Sequence, residues 1–200
     1  MIVMDFGSGN TCLNSLEEAQ RMIDALAQVD RQRKCVIKWQ LFEKCGDNIP
    51  LRRDIFSKAF VYADEVYGYQ TTASVFDEVS LNFLLRFDIP FVKIANNEKY
   101  YPLIKKIPDA MSILKSVGNA ELFGPDCMCC VSEYPATIKQ YEKVFKKVQL
   151  KKGISDHTSD WELYFKYKPE IYECHFCLAD QEGLDSGPFS RRPNQLKEIL

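Results

Sequence analysis

The sequence predicts an α/β fold, a minimal (β/α)8 TIM barrel, on three observations. Eight short apolar stretches run along the chain, segments with helical spacing of apolar residues alternate with them, and no glycine-rich dinucleotide fingerprint is present. Strands separated by helical crossovers form a parallel sheet, and eight of them close most simply into a barrel. The chain has 200 residues, at the lower limit of about 200 for that fold, so several connections must be minimal. An open doubly wound sheet is the structural alternative.

The elements follow in order. Residues 2–6 are a short apolar strand ending in Gly7-Ser8-Gly9-Asn10, and Ser15 opens a helix with Leu16, Ala19, Met22, Ile23 and Leu26 at helical spacing. Residues 35–39 read as strand, 54–67 as helix, 69–74 as strand, and 77–86 as a helix with Val79, Phe83 and Leu84 inward. A strand over 89–94 carries a proline at its entrance. A short helix over 102–107, strands over 111–115 and 127–131, a helix over 137–148, a very short strand over 153–155, a helix over 160–167 and a last strand over 171–176 complete the pattern. No repeat, low-complexity tract or long Gly/Ser linker divides the chain, so residues 1–200 read as one domain.

A hydrophobic content of 46% can fill a real core, and a formal net charge of -2 gives no electrostatic footprint for nucleic acid. The apolar runs are short and interrupted by charges, and Met1 is followed by a strand-like stretch rather than a basic n-region, so neither a membrane partner nor export is expected. The expected location is the cytoplasm. The eight cysteines are unevenly spaced in a chain large enough to do without staples, and reduced thiols are expected.

In a barrel of this kind, functional side chains project from the C-terminal ends of the strands. Asp5 ends the first strand, Lys38 and Gln40 the second, Ser74 the third, and Lys93 with Asn96 and Glu98 the fourth. Ser116 ends the fifth, Ser132 and Tyr134 the sixth, His157 the seventh and His175 the eighth. The two histidines are the only ones in the chain and fall at corresponding positions on neighbouring strands, with Asp156 and Asp185 nearby. Neutral imidazole is a common ligand of first-row divalent metals, so the pair reads as a metal site although a single histidine would read as structural. Lys38 and Lys93 require an anion, because an unpaired buried ammonium costs several kcal/mol or loses its proton. An internal salt bridge to Asp5 or Glu98, a phosphate or carboxylate substrate held by both lysines, and a Schiff-base lysine are three readings that position alone leaves open. Cys174 and Cys177 bracket His175, yet strand alternation turns Cys174 away from it and sets Cys130, not Cys129, on the inner face with Ser132, so a structural zinc site is the weaker reading. Ser190 and the Arg191-Arg192 pair could contact substrate, but an exposed, solvated pair is the stronger reading.

Five segments together resemble the strand-end motifs of N-acetylneuraminate (sialic acid) synthases. They are Val36-Ile37-Lys38-Trp39-Gln40, Phe91-Val92-Lys93-Ile94-Ala95-Asn96-Asn97-Glu98, Cys130-Val131-Ser132-Glu133-Tyr134-Pro135, Gly153-Ile154-Ser155-Asp156-His157-Thr158 and Glu173-Cys174-His175-Phe176. The resemblance implies a barrel that condenses phosphoenolpyruvate with an amino-sugar aldehyde, usually N-acetylmannosamine, and releases phosphate. It implies His157 and His175 as ligands of manganese, magnesium or cobalt, Lys38 and Lys93 on phosphoenolpyruvate, and Ser116 and Ser132 as its hydrogen-bonding partners. Glu98 falls on the carboxylate beside the reacting carbons, Asp5 stands for a glutamate one methylene longer, and Gln40, Tyr134 and Asp185 line the sugar side. Asn96 stands where the family usually has serine, and Ser74 where it has threonine. The residues to Leu200 include neither the family's later lysine nor its antifreeze-like domain, which contributes to the partner's sugar site and to the dimer; a homodimer is thus left open. An active synthase, a non-catalytic phosphometabolite-binding barrel, and a subunit completed by a second chain are the three functional expectations.

Overall fold

Eight strands, each parallel to its neighbours, form a closed barrel in a computed structural model that describes residues 1–122, 124, 126–146 and 153–200. The strands are β1 (Ile2–Gly7), β2 (Cys35–Leu41), β3 (Thr71–Val75), β4 (Val92–Ile94), β5 (Ile113–Val117), β6 (Cys127–Cys130), β7 (Gly153–Asp156) and β8 (Ile171–His175). Pairing of β8 back onto β1, with Ile2 opposite Tyr172 and Asp5 opposite His175, excludes the open sheet. Four strands differ from expectation by two or more residues at an end: β2 runs on to Leu41, β3 begins at Thr71 rather than at residue 69, and β4 and β5 are displaced as well. β4 begins only at Val92, because Pro90 has no N–H to give the ladder, and β5 runs two residues later than the apolar pattern suggests.

The helices form where caps and periodicity direct them. In α1 (Leu16–Val29) the Ser15 hydroxyl accepts the Glu18 N–H at 3.4 Å, and Ala19, Met22, Ile23 and Leu26 are buried against the sheet. Gly68 ends α2 (Arg53–Tyr67) at φ +72°, a left-handed conformation that glycine adopts without strain. The Asp77 carboxylate caps α3 (Glu78–Leu84) through the Ser80 N–H at 2.7 Å. That start turns Leu81 inward and leaves Val79 49% exposed, contrary to the expected inward position. Between β4 and β5 the chain forms a 3-10 helix, Glu98–Lys106, in place of the shorter helix expected; Pro102 lies inside it and the Asn97 side chain caps it through Lys99 N–H. A Thr137–Gln140 capping box starts α4 (Ile138–Phe145), and the end of the helix expected to reach residue 148 lies outside the described residues. α5 (Glu162–Tyr167) and a short α6 (Pro193–Leu196) complete the described helices. Among them none is long and apolar enough to cross a membrane.

Two cores result. The larger packs the outer faces of the strands against the helices. The smaller lies inside the barrel, where Val3, Val36, Phe91, Leu114 and Met128 meet, with Ile171 packed on them. Each of these plugging residues sits two positions before a residue that lines a cavity above it: Asp5, Lys38, Lys93, Ser116, Cys130 and Glu173. Strand side chains alternate between faces, so the next inward position of each strand is one layer higher. Apolar residues close the lower part of the barrel, and a polar layer opens toward the C-terminal ends of the strands.

Candidate active site

The polar layer forms the floor of a cavity of about 440 Å³. Lys38 Nζ donates to Asp5 Oδ2 at 2.6 Å and to Ser74 Oγ at 3.0 Å, while Lys93 Nζ donates to Ser116 Oγ at 2.6 Å. Between the two ammonium groups stands Glu173, whose Oε1 lies 3.7 Å from Lys38 Nζ and 3.4 Å from Lys93 Nζ and accepts the Ser155 hydroxyl at 2.9 Å. Burial would lower the pKa of Lys38, but Asp5 and Glu173 beside it raise it above the ordinary lysine value. Lys93 moves the other way, because burial and the neighbouring Lys38 outweigh the nearby Glu173 carboxylate. Burial would raise Asp5 and Glu173, yet Lys38 and His175 hold the Asp5 carboxyl, and Lys38 and Lys93 the Glu173 carboxyl, below the usual range.

The next layer carries the histidines. His157 Nδ1 is 2.5 Å from the Val131 carbonyl oxygen, and the geometry assigns it as the donor. That fixes the tautomer and leaves Nε2 with a free lone pair. Burial pushes the His157 pKa down to about 3, so the ring is neutral at physiological pH. The His175 ring centroid lies 5.4 Å away; its Nδ1 is 3.4 Å from Asp185 Oδ1 and its Nε2 3.8 Å from Asp5 Oδ2. His175 Nδ1, Asp185 Oδ2 and Glu173 Oε2 are buried without a hydrogen-bond partner among the described residues. Although burial lowers the His175 pKa, Asp5 and Asp185 raise it above the ordinary value. Tyr134 stacks on the His157 ring with centroids 4.1 Å apart and meets His175 edge-on, while remaining 52% exposed at the cavity mouth. Gln40 Nε2 donates to Asp5 Oδ2 at 3.1 Å and Asp185 Oδ1 at 3.3 Å, and Asn96 bridges Ser132 Oγ at 3.0 Å and Gly118 N–H at 2.8 Å.

All the candidate residues taken from the sequence line this cavity except Glu98. Glu98 is exposed, because it opens the 3-10 helix beyond the cavity wall rather than continuing the β4 strand inward. The carboxylate that meets both lysines is instead Glu173, which sequence reasoning quoted only within a motif; its signal was its place two residues before His175 on one strand. Ser155 and Cys130 were likewise legible by alternation. Asp156, expected beside the histidines, turns to the outer face of β7 and pairs with Arg191 at 3.1 Å. Arg191 is fully buried rather than solvated, Ser190 is buried as well, and Arg192 is half-buried. Cys174 points away from His175 toward Met4, and no group of three or more His, Cys, Asp or Glu residues suited to a metal occurs among the described residues. None of the eight cysteines is in a disulfide.

Residues 19–200 match the NeuB family. The chain belongs to the NeuB family. As a NeuB-family barrel it is similar to solved structures at low identity. An N-acetylneuraminic acid (sialic acid) synthetase from Leptospira borgpetersenii, solved with citrate, is 20% identical with a TM-score of 0.77, over 98% of this chain and 80% of that one. The spore coat polysaccharide biosynthesis protein spsE from Bacillus subtilis is 20% identical with a TM-score of 0.73, over 99% of this chain and 65% of that one, so the NeuB barrel spans a little under two thirds of its length. These likenesses carry the fold. No curated protein matches the chain.

Proposed function

We propose that the chain condenses phosphoenolpyruvate with an aldehyde sugar of the N-acetylmannosamine kind, giving a sialic acid-type nonulosonate and phosphate, with a divalent metal held by His157 and His175. The observation that carries the reading is the layering of one cavity: two buried lysines at its floor and, directly above, two imidazoles with nitrogen lone pairs or unpartnered nitrogens. The donors fit a metal with open positions, since two imidazoles leave room for water and substrate oxygen; manganese suits this set, as do magnesium and cobalt. Charge supports the same conclusion. Lys38 and Lys93 face three carboxylates, Asp5, Glu173 and Asp185, so a polyanionic substrate needs positive charge beyond the lysines.

When bound there, the ion supplies Lewis acidity toward an aldehyde oxygen. The lysines hold the phosphate and carboxylate of phosphoenolpyruvate, with Ser116, Ser132, Ser74 and Asn96 as hydrogen-bonding neighbours. Carbon three of phosphoenolpyruvate attacks the aldehyde carbon, and Asp5 directs water onto the resulting cation before phosphate leaves. Gln40, Tyr134 and Asp185 bound the sugar side. Phosphate release from phosphoenolpyruvate with manganese and a panel of aldehyde sugars tests the proposal, comparing the parent with His157→Ala and Lys93→Ala. Release that needs one sugar, metal and both residues is expected; no release from any sugar while phosphoenolpyruvate and metal bind would overturn it.

One observation favours a second reading. Glu98, which the resemblance sets beside the reacting carbons, stands outside the cavity, and a barrel that binds a phosphometabolite without turnover would not need it.

A further inference from the structure

Arg191 is the largest charged side chain in the interior, fully buried, and touches neither the cavity nor its lysines. A guanidinium taken out of water is costly unless most of its donors are met. Here Nη1 donates to Thr158 O at 2.7 Å and Phe189 O at 3.0 Å, Nη2 donates to Asp156 Oδ2 at 3.1 Å and to Asp160 O, Nε finds no acceptor among the described residues, and the Trp161 ring covers the group with its centroid 4.6 Å from Cζ. Asp156 and Thr158 are the two residues flanking His157. The backbone of Arg191 is tied elsewhere: its N–H donates to His175 O at 2.8 Å, and its carbonyl accepts Cys177 N–H at 3.1 Å. One residue therefore grips the turn that carries His157 with its side chain and the end of the strand that carries His175 with its main chain.

We propose that Arg191 is a positioning residue for the histidine pair, fixing the separation and orientation of His157 and His175 from outside the cavity; the role rests on the metal reading above. The planar fork matters, because its donors reach acceptors on two sides at once, which the single ammonium of lysine does not. Supporting groups behind metal-binding histidines commonly change metal affinity by 10–100-fold. The bland alternative is an anchor for the C-terminal segment, whose loss would lower stability and leave the imidazoles as they are.

The test uses the full chain, labelled with nitrogen-15 and free of metal. Its two histidines give two sets of imidazole signals, assigned with His157→Ala. In the parent, His157 should show a single neutral tautomer protonated at Nδ1. In Arg191→Lys, folded by circular dichroism, that signature should be lost to tautomer averaging, and manganese should bind at least about tenfold more weakly. A folded Arg191→Lys with parent-like imidazole signals would overturn the proposal. If the parent binds no manganese, the metal reading fails, and the metal-free spectra alone still decide the positioning role. If Arg191→Lys does not fold, Asp156→Asn replaces it, deleting the guanidinium's ion pair with Asp156, with the same two outcomes deciding.

Discussion

Glu173 Oε1 lies 3.4 Å from Lys93 Nζ and 3.7 Å from Lys38 Nζ, so a single buried carboxylate serves both ammonium groups at the floor of the barrel. Removing its charge leaves Lys93 with no ion pair among the described residues. Glu173→Gln should destabilise the fold by about 3 kcal/mol, in the range for breaking a buried pair, read as a lower denaturant midpoint. The same substitution removes one of three cavity carboxylates, so inorganic phosphate should bind more tightly. An unchanged midpoint would mean that the pair gives no net stabilisation.

The two lysines should respond unequally to an apolar replacement. Lys38→Met takes from Asp5 its ammonium partner and leaves Glu173 with Lys93 alone, which should cost about 3–5 kcal/mol. Lys93→Met leaves Glu173 paired with Lys38 and removes a desolvated ammonium, so stability should change by less than about 1 kcal/mol. Phosphoenolpyruvate binding should weaken in both, and calorimetry alongside denaturation separates the two effects.

Glu98→Gln tests the position of an exposed carboxylate. With the side chain outside the cavity, the rate of phosphate release should stay within about twofold of the parent, the small change expected for a group that touches no reacting atom. A loss of 100-fold or more would show that the 3-10 helix moves inward when substrate binds.

The thiols give a pH dependence. Burial raises Cys12 and Cys130 to about 11 and Cys129 and Cys174 to about 12, from an ordinary value of 9.0. Between pH 9 and 11 the unfolded chain has lost these protons and the folded chain has kept them, so the unfolded state binds fewer and stability falls as pH rises. Below pH 9 the thiols are protonated in both states and the dependence vanishes. Melting curves should drop across that window, and in native protein a thiol reagent should react rapidly only with Cys45, the partly exposed cysteine.

The barrel was legible because its determinants are local. Apolar stretches with helices between them, capped at Ser15, Asp77 and Thr137, specify strand, crossover and strand again, and eight such units have few ways to close. Most of the cavity was legible for the same reason: period-two alternation sets His157 and His175, like Lys38 and Gln40, on the inner face near the C-terminal ends. What the sequence by itself determined is therefore the order of elements and the face on which each strand residue stands. Tertiary structure decided which charges meet. Glu98 and Glu173 are indistinguishable as isolated carboxylates, and only the 3-10 helix that carries Glu98 away and the register that brings β8 beside β1 assign Glu173 to the lysines. Arg191, beside Arg192 and Pro193, has the look of a solvated pair until β7 presents the Asp156 carboxylate 35 residues earlier in the chain. Burial of a charge depends on partners distant in sequence, and no local pattern encodes their distance in space.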